Sequence, residues 1–236
     1  MFVFNDLIPG SRVHSGVWFG ILVESCKERI RIFSNDFHNI KGSLVNVKKG
    51  GPVQFAYCTG GGYRCQDNAI EQVRDESSII DHISAFNSMF DASNPYIVRN
   101  NWIRGGGPSP SSGGILLGDY GGSNMIMEDN ILVNPGQYGI AVAGGSNMVM
   151  RRNKVYGEQL PWSNVGIVVV NWTWQTDGPS ENITVAHNRV NWIGSHGGDA
   201  PFWVWEEMQW PIGWDTNTFQ DPTITPNILP AEIVGV

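Results

Sequence analysis

Acidic, basic and imidazole side chains recur in this chain at fixed offsets from a series of asparagines. Arg99 and Asn100 precede Asn101, Glu128 and Asp129 precede Asn130, Arg151 and Arg152 precede Asn153, and Ala186 and His187 precede Asn188. Trp102, Ile131, Lys154 and Arg189 follow the same four asparagines. Asp81 and His82 hold the preceding positions of a weaker copy, with Ile83 at the asparagine position. Stacking of the asparagines would bring all these side chains into one file. In such a file Arg152, Lys154 or Arg189 can neutralise a uronate carboxylate while His187 or His82, which titrate near neutrality without special burial, removes the adjacent ring proton. That chemistry is β-elimination, with Glu128, Arg151 and Trp102 lining the substrate. Hydrolysis would need two carboxyl groups about 5 to 9 Å apart across the bond. Asp129, Glu128, Asp119 and Asp81 can supply such a pair. The same residues can also form a plain ion-pair ladder, Glu128 beside Arg151 and Asp129 beside Arg152, worth roughly a few tenths of a kcal/mol per pair.

The elements that must position this file are set by repetition. Asn124-Met-Ile-Met-Glu-Asp-Asn130-Ile-Leu returns as Asn147-Met-Val-Met-Arg-Arg-Asn153-Lys-Val and as Asn182-Ile-Thr-Val-Ala-His-Asn188-Arg-Val. Tyr96 to Ile103 and Ile30 to Phe37 fit the same template. Alternation points Met125, Met127, Met148, Met150, Ile183 and Val185 to one side of their strands, toward a core. One copy cannot bury that side alone, so copies must stack. The pattern predicts an all-β fold, a right-handed parallel β-helix of about nine or ten coils and about 45 Å at the strand spacing. Stacked asparagines can bond one another and the turn backbone, and they tolerate left-handed turn angles.

Further strands are bounded by glycines, Gly114 to Gly118, Gly139 to Ala143 and Gly166 to Val170. Here the glycines read as sharp bends. Outward positions Leu116, Ala141 and Val168, with Ile97, Ile126 and Val149 on the ladder strands, are apolar where water is expected. Either a homotrimer or loops folded back would cover them. Segments 105–114, 158–163 and 172–179 leave the regular spacing as loops, which makes Trp162, Trp172 and Trp174 platforms for sugar rings. Other late tryptophans, Trp192, Trp203, Trp205, Trp210 and Trp214, read as a plug for the open end of the solenoid. The helix is expected over 1–210 and a capping tail or strap over 211–236.

Bulk properties exclude several classes. With 15 basic and 22 acidic residues and a net charge of -7, the chain lacks the footprint of a nucleic-acid binder. Nothing in it is long and apolar enough to span a bilayer, and no signal peptide follows Met1. Cys58 and Cys65 flank a turn and can form a disulfide, or all three cysteines can stay reduced. No cofactor motif is present; calcium could be held through Asp81, Asp119 or Asp129. Asn171 and Asn182 each open an Asn-x-Thr triplet.

The recurring Asn-apolar-x-apolar-x-x-Asn pattern resembles the right-handed parallel β-helix superfamily typified by pectate lyases, over roughly residues 15 to 205. Ile80-Asp81-His82-Ile83-Ser84 is similar to that family's Ile-Asp-His-Cys-Ser strand, with isoleucine replacing cysteine. The family's downstream Arg-x-Pro segment and the paired aspartates of polygalacturonases are absent. The resemblance implies a polysaccharide partner and an extracellular or virion-associated setting. A polysaccharide lyase is the expected function, with an adhesin or tailspike-like receptor binder and a glycoside hydrolase as the alternatives.

Overall fold

The computed structural model describes residues 12–13, 19–27, 29–40, 50–74, 76–108 and 111–233. These wind as a parallel solenoid with three faces. The first face is an eight-stranded sheet from Arg12–Val13 through Asp36–His38, Ala69–Glu71, Trp102–Arg104, Ile131–Val133, Lys154–Gly157 and Arg189–Trp192 to Thr218–Phe219. The second stacks Arg31–Phe33, Arg64–Gln66, Tyr96–Arg99, the later half of Gly113–Glu128, Ser146–Arg151 and Glu181–Ala186. The third stacks Phe19–Glu24, Gly51–Ala56, Asp81–Phe90, the earlier half of Gly113–Glu128, Tyr138–Val142, Val165–Val169 and Phe202–Val204. Each coil runs from third face to second to first.

One asparagine occupies the corner between the second and first faces in each coil from Asn35 to Asn217. Asn130 shows the pattern: its backbone N–H and its Nδ2 each donate to Oδ1 of Asn153 at 3.0 Å, and Nδ2 also donates to the Val98 carbonyl at 3.0 Å. Asn35, Asn68, Asn101, Asn153 and Asn188 repeat it. Two rungs were not readable from the template. Cys65 stands in the inward position before Asn68, and Asn217 follows a 3-10 turn, Trp214–Thr216, instead of a strand.

Successive rungs are 33, 33, 29, 23, 35 and 29 residues apart. Six turns therefore join seven rungs, fewer than the nine or ten coils expected, and the ladder is about 30 Å long at the strand spacing. The expectation took the shortest copy as typical. Left-handed backbone falls not on the ladder asparagines but on the residue before each of the first six: Ser34, Asp67, Asn100, Asp129, Arg152 and His187 have φ between 50° and 57°.

Met125, Met127, Met148, Met150 and Val185 are fully buried and Ile183 nearly so. The glycines that open the third-face strands serve space, not bending. A β-carbon on Gly114, Gly139 or Gly166 would sit 2.3 to 2.5 Å from Leu132, Val155 or Val190, inward side chains of the first face that fill this corner. Ile83 pairs with Ile115 on the third face, so Asp81 and His82 belong there and not to the asparagine corner. Cys26, Cys58 and Cys65 are all free and buried, with no disulfide between Cys58 and Cys65. Burial pushes the Cys58 thiol up to about 11.

Beyond Pro211 the ladder continues through Asn217, and the chain then turns back along the outside of the first face. There Ile228, Leu229 and Ile233 pack on Ile131, Val133 and Tyr156. Asn191 donates to the Ile224 carbonyl at 2.8 Å, and Arg104 donates to the Pro230 and Ala231 carbonyls. At the C-terminal end of the core, Trp214 and Phe219 close the coil together with Phe202.

Removing one central amide should be costly. Asn153→Ala strips partners from the Asn130 N–H, the Asn130 amide and the Met127 carbonyl, a loss of about 3 kcal/mol or more at roughly 1 kcal/mol or above per orphaned buried group. Half-buried Asn217, at the end, should cost less on the same change. Urea unfolding of both variants tests this; equal and small losses would contradict the ladder's role.

Candidate functional site

Register brings part of the expected file together. Glu128 faces Arg151 across neighbouring strands. Its buried carboxylate accepts from Arg151 at 2.7 Å and Arg152 at 2.9 Å, with Arg99 at 3.7 Å. Arg152 also grips both oxygens of Asp129 at 2.8 Å. Those bonds, that of Asp129 first, hold the Arg152 guanidinium above its usual range. His187 is exposed beside this network, its backbone N–H donating to Thr216 Oγ1 at 2.9 Å.

Other members of the expected set lie elsewhere. Lys154 and Arg189 pair in register on the first face, around the corner. Arg189 donates to Asp221 at 2.7 Å and also to Thr223. The Arg189 bond, chiefly, draws Asp221 down to about 2. Trp102, beside Ile131 on that face, is 39% exposed. Trp162 is half-buried, its indole nitrogen against Gly107. His82 is fully buried on the third face, with Nδ1 2.7 Å from the Gly113 carbonyl. Burial draws it down to about 4, against the pull of its backbone hydrogen bonds. It cannot share a file with His187.

A concavity lies on the outside of the third face. Leu116, Ala141 and Val168 stack in register there and are buried within this chain. With Ala143, Val165 and Val170 they floor a groove of about 570 Å³. Asp81, Gln137, Tyr138 and Asn164 line the side where the strands begin, and Asp119 and Tyr120 the side where they end. Phe86 bridges Tyr57 and Tyr120, with ring centroids 5.3 and 4.9 Å apart. Trp172 and Trp203 stand at the C-terminal end of the groove.

Tyr138 organises the acidic side. It pairs in register with Gly113, and a β-carbon on Gly113 would strike its ring at 2.0 Å. Glycine thus lets the ring lie across the neighbouring strand, where the hydroxyl donates to Oδ1 of Asp81. Burial first, then the charge of Asp81 and its hydrogen bond, and then the charge of Asp119 push the phenol well above its ordinary value. The hydroxyl therefore stays a donor at all ordinary pH. Asp81 touches this oxygen, whereas Asp119, across the floor, acts on it through its charge alone. No group of three or more histidine, cysteine, aspartate or glutamate side chains that could hold a metal ion occurs among the described residues.

Of the groove residues, the sequence pointed to Asp81, Asp119 and Trp172 but not to Tyr138, Gln137, Asn164 or Tyr120. The signal available was Gly113, but reading it needed the coil-to-coil register. Trp203 belongs to this rim and not to the end plug.

His82 gives a pH test of this face. Its folded value of about 4 lies below the unfolded value of about 6.5, so the unfolded chain takes up the proton first as pH falls. Its contribution is full above about pH 6.5, is lost between there and 4, and is constant below, a drop of about 3 kcal/mol. His82→Gln should flatten the stability profile over that window in urea unfolding; parallel profiles would contradict the buried neutral imidazole.

The right handed beta helix region family matches residues 19–198. No curated protein and no solved structure matches the chain. The match spans rungs Asn35 to Asn188 and the groove floor, and the fold suits a carbohydrate-active or a structural β-helix protein. By its three-faced parallel coils, its asparagine ladder and this match, the chain belongs to the right-handed β-helix family.

Proposed function

We propose that the third-face groove binds a glycan and that Asp81 and Asp119 hydrolyse its glycosidic bond. The observation that carries this reading is an apolar floor flanked by carboxylates on both sides, Asp81 where its strands begin and Asp119 where they end. Paired carboxyl groups flanking a cleft are what glycoside hydrolysis requires. Tyr138, a permanent donor, orients Asp81 as the base. Asp119, beyond the far end of the floor strands, delivers a proton to the leaving oxygen. Asp81 takes a proton from the attacking water as Asp119 gives one to the leaving oxygen, and inversion at the anomeric carbon is the expected outcome.

Elimination from a uronate needs a cation on the sugar carboxylate. Among the described residues the groove lining contains no lysine, arginine or histidine, and Arg152 and Arg189 of the expected set are already held by carboxylates. This supports hydrolysis of an uncharged polymer over lyase chemistry.

The test incubates the protein with neutral and uronate polysaccharides and follows both reducing ends and unsaturated-uronate absorbance. Reducing ends should form from a neutral glycan without that absorbance. Asp81→Asn and Asp119→Asn should each slow the reaction by about 100-fold or more. Uronate absorbance that survives Asp119→Asn but disappears in Arg152→Ala would move the chemistry to the ion-pair file; no cleavage of any glycan would refute an enzyme.

A further inference from the structure

Four indoles stand together where the groove ends. Trp172 and Trp203 are 6.3 Å apart at 50°, and Trp174 and Trp205 are 6.2 Å apart at 85°. They line a separate cleft of about 350 Å³ with Asn171 and Gln175. Trp172, Trp174 and Trp203 are 58%, 36% and 45% exposed, far more than a plug for the core would be.

The cleft is held in shape before any ligand arrives. Asn171 is buried, and its Oδ1 accepts from the Thr173 N–H at 3.0 Å and from its hydroxyl at 3.2 Å, while its Nδ2 donates to the Gly178 carbonyl at 2.8 Å. That single amide closes the loop carrying Trp172 and Trp174. The backbone N–H groups of Trp172 and Trp205 donate to Ala143 and Val169 on the third face, both at 2.9 Å.

Two properties define what fits. Among the described residues the lining carries no charged side chain, only indoles and two amides. Flat aromatic faces with a few polar groups at the edge suit a ring that is apolar on its faces and polar around its rim. A pyranose ring has that character. Trp172 and Trp203 also line the groove, and Trp203 continues the floor row of Leu116, Ala141 and Val168 in register.

We propose that the tryptophan cleft is a distal subsite for an uncharged pyranose unit of the same glycan chain, which lies along the solenoid axis from the aspartates to the indoles. This rests on the groove being the glycan site, but not on the hydrolysis assigned to it. Long chains would then bind more tightly than short ones that reach only the floor.

Trp174 gives the cleanest test, because it lines the cleft and not the groove and is exposed enough to change without loss of fold. Affinity electrophoresis in gels containing β-glucan, xylan, galactomannan or arabinan reads binding without any need for cleavage. At least one polymer should retard the wild type. Trp174→Ala should weaken that binding by about tenfold with unchanged thermal stability, Trp174→Phe should restore most of it, and oligomers of two or three units should bind both forms equally. Retardation by none of the polymers, equal retardation of Trp174→Ala, or displacement by tetramethylammonium, which would mark a cation cage, overturns the proposal. Binding that depends on Trp174 without any cleavage would leave the subsite standing and refute the hydrolysis alone.

Discussion

Every column in this molecule is aligned by a carboxamide in a dry corner. An asparagine there has two N–H donors and one carbonyl to satisfy, and only another asparagine one coil away, plus a backbone carbonyl, meets the need. A slip of one residue would leave the amide buried without partners and turn the inward methionines outward. Seven such amides, Asn35 to Asn217, fix the register of coils between 23 and 35 residues long. Length differences are expelled into loops, and loops build the sites.

What was legible in the sequence follows from this. Asn130, Asn153 and Asn188 could be read directly because strands of similar pattern precede them. The ion pairs of Glu128 and Asp129 followed from that register. Asp81 and His82 were placed wrongly because Ile79 to Ile83 mimics the apolar spacing of a ladder strand, while local pattern does not say which face a strand joins. Leu116, Ala141 and Val168 read correctly as outward and in need of cover. Their cover within this chain comes from Tyr138 and Trp205, residues distant in sequence from most of the floor. The groove was thus illegible because it is a property of three coils and their loops together.

The two acidic clusters differ in what neutralises them. In the file, guanidinium groups answer Glu128 and Asp129, and the charges are mutually satisfied. On the third face a neutral phenol donates to Asp81 and orients its carboxylate. The ion pairs of the file knit adjacent coils together.

The loop amide of Asn171 and the outer rung Asn182 share a further property. Both open Asn-x-Thr triplets, and both Nδ2 atoms are engaged, one with the Gly178 carbonyl and the other with Oδ1 of Asn147 at 2.7 Å. Attaching an oligosaccharide to either nitrogen would compete with that bond. In a secretory pathway that modifies nascent chains, glycosylation and coil closure would be rivals, and a bacterial host would avoid the contest.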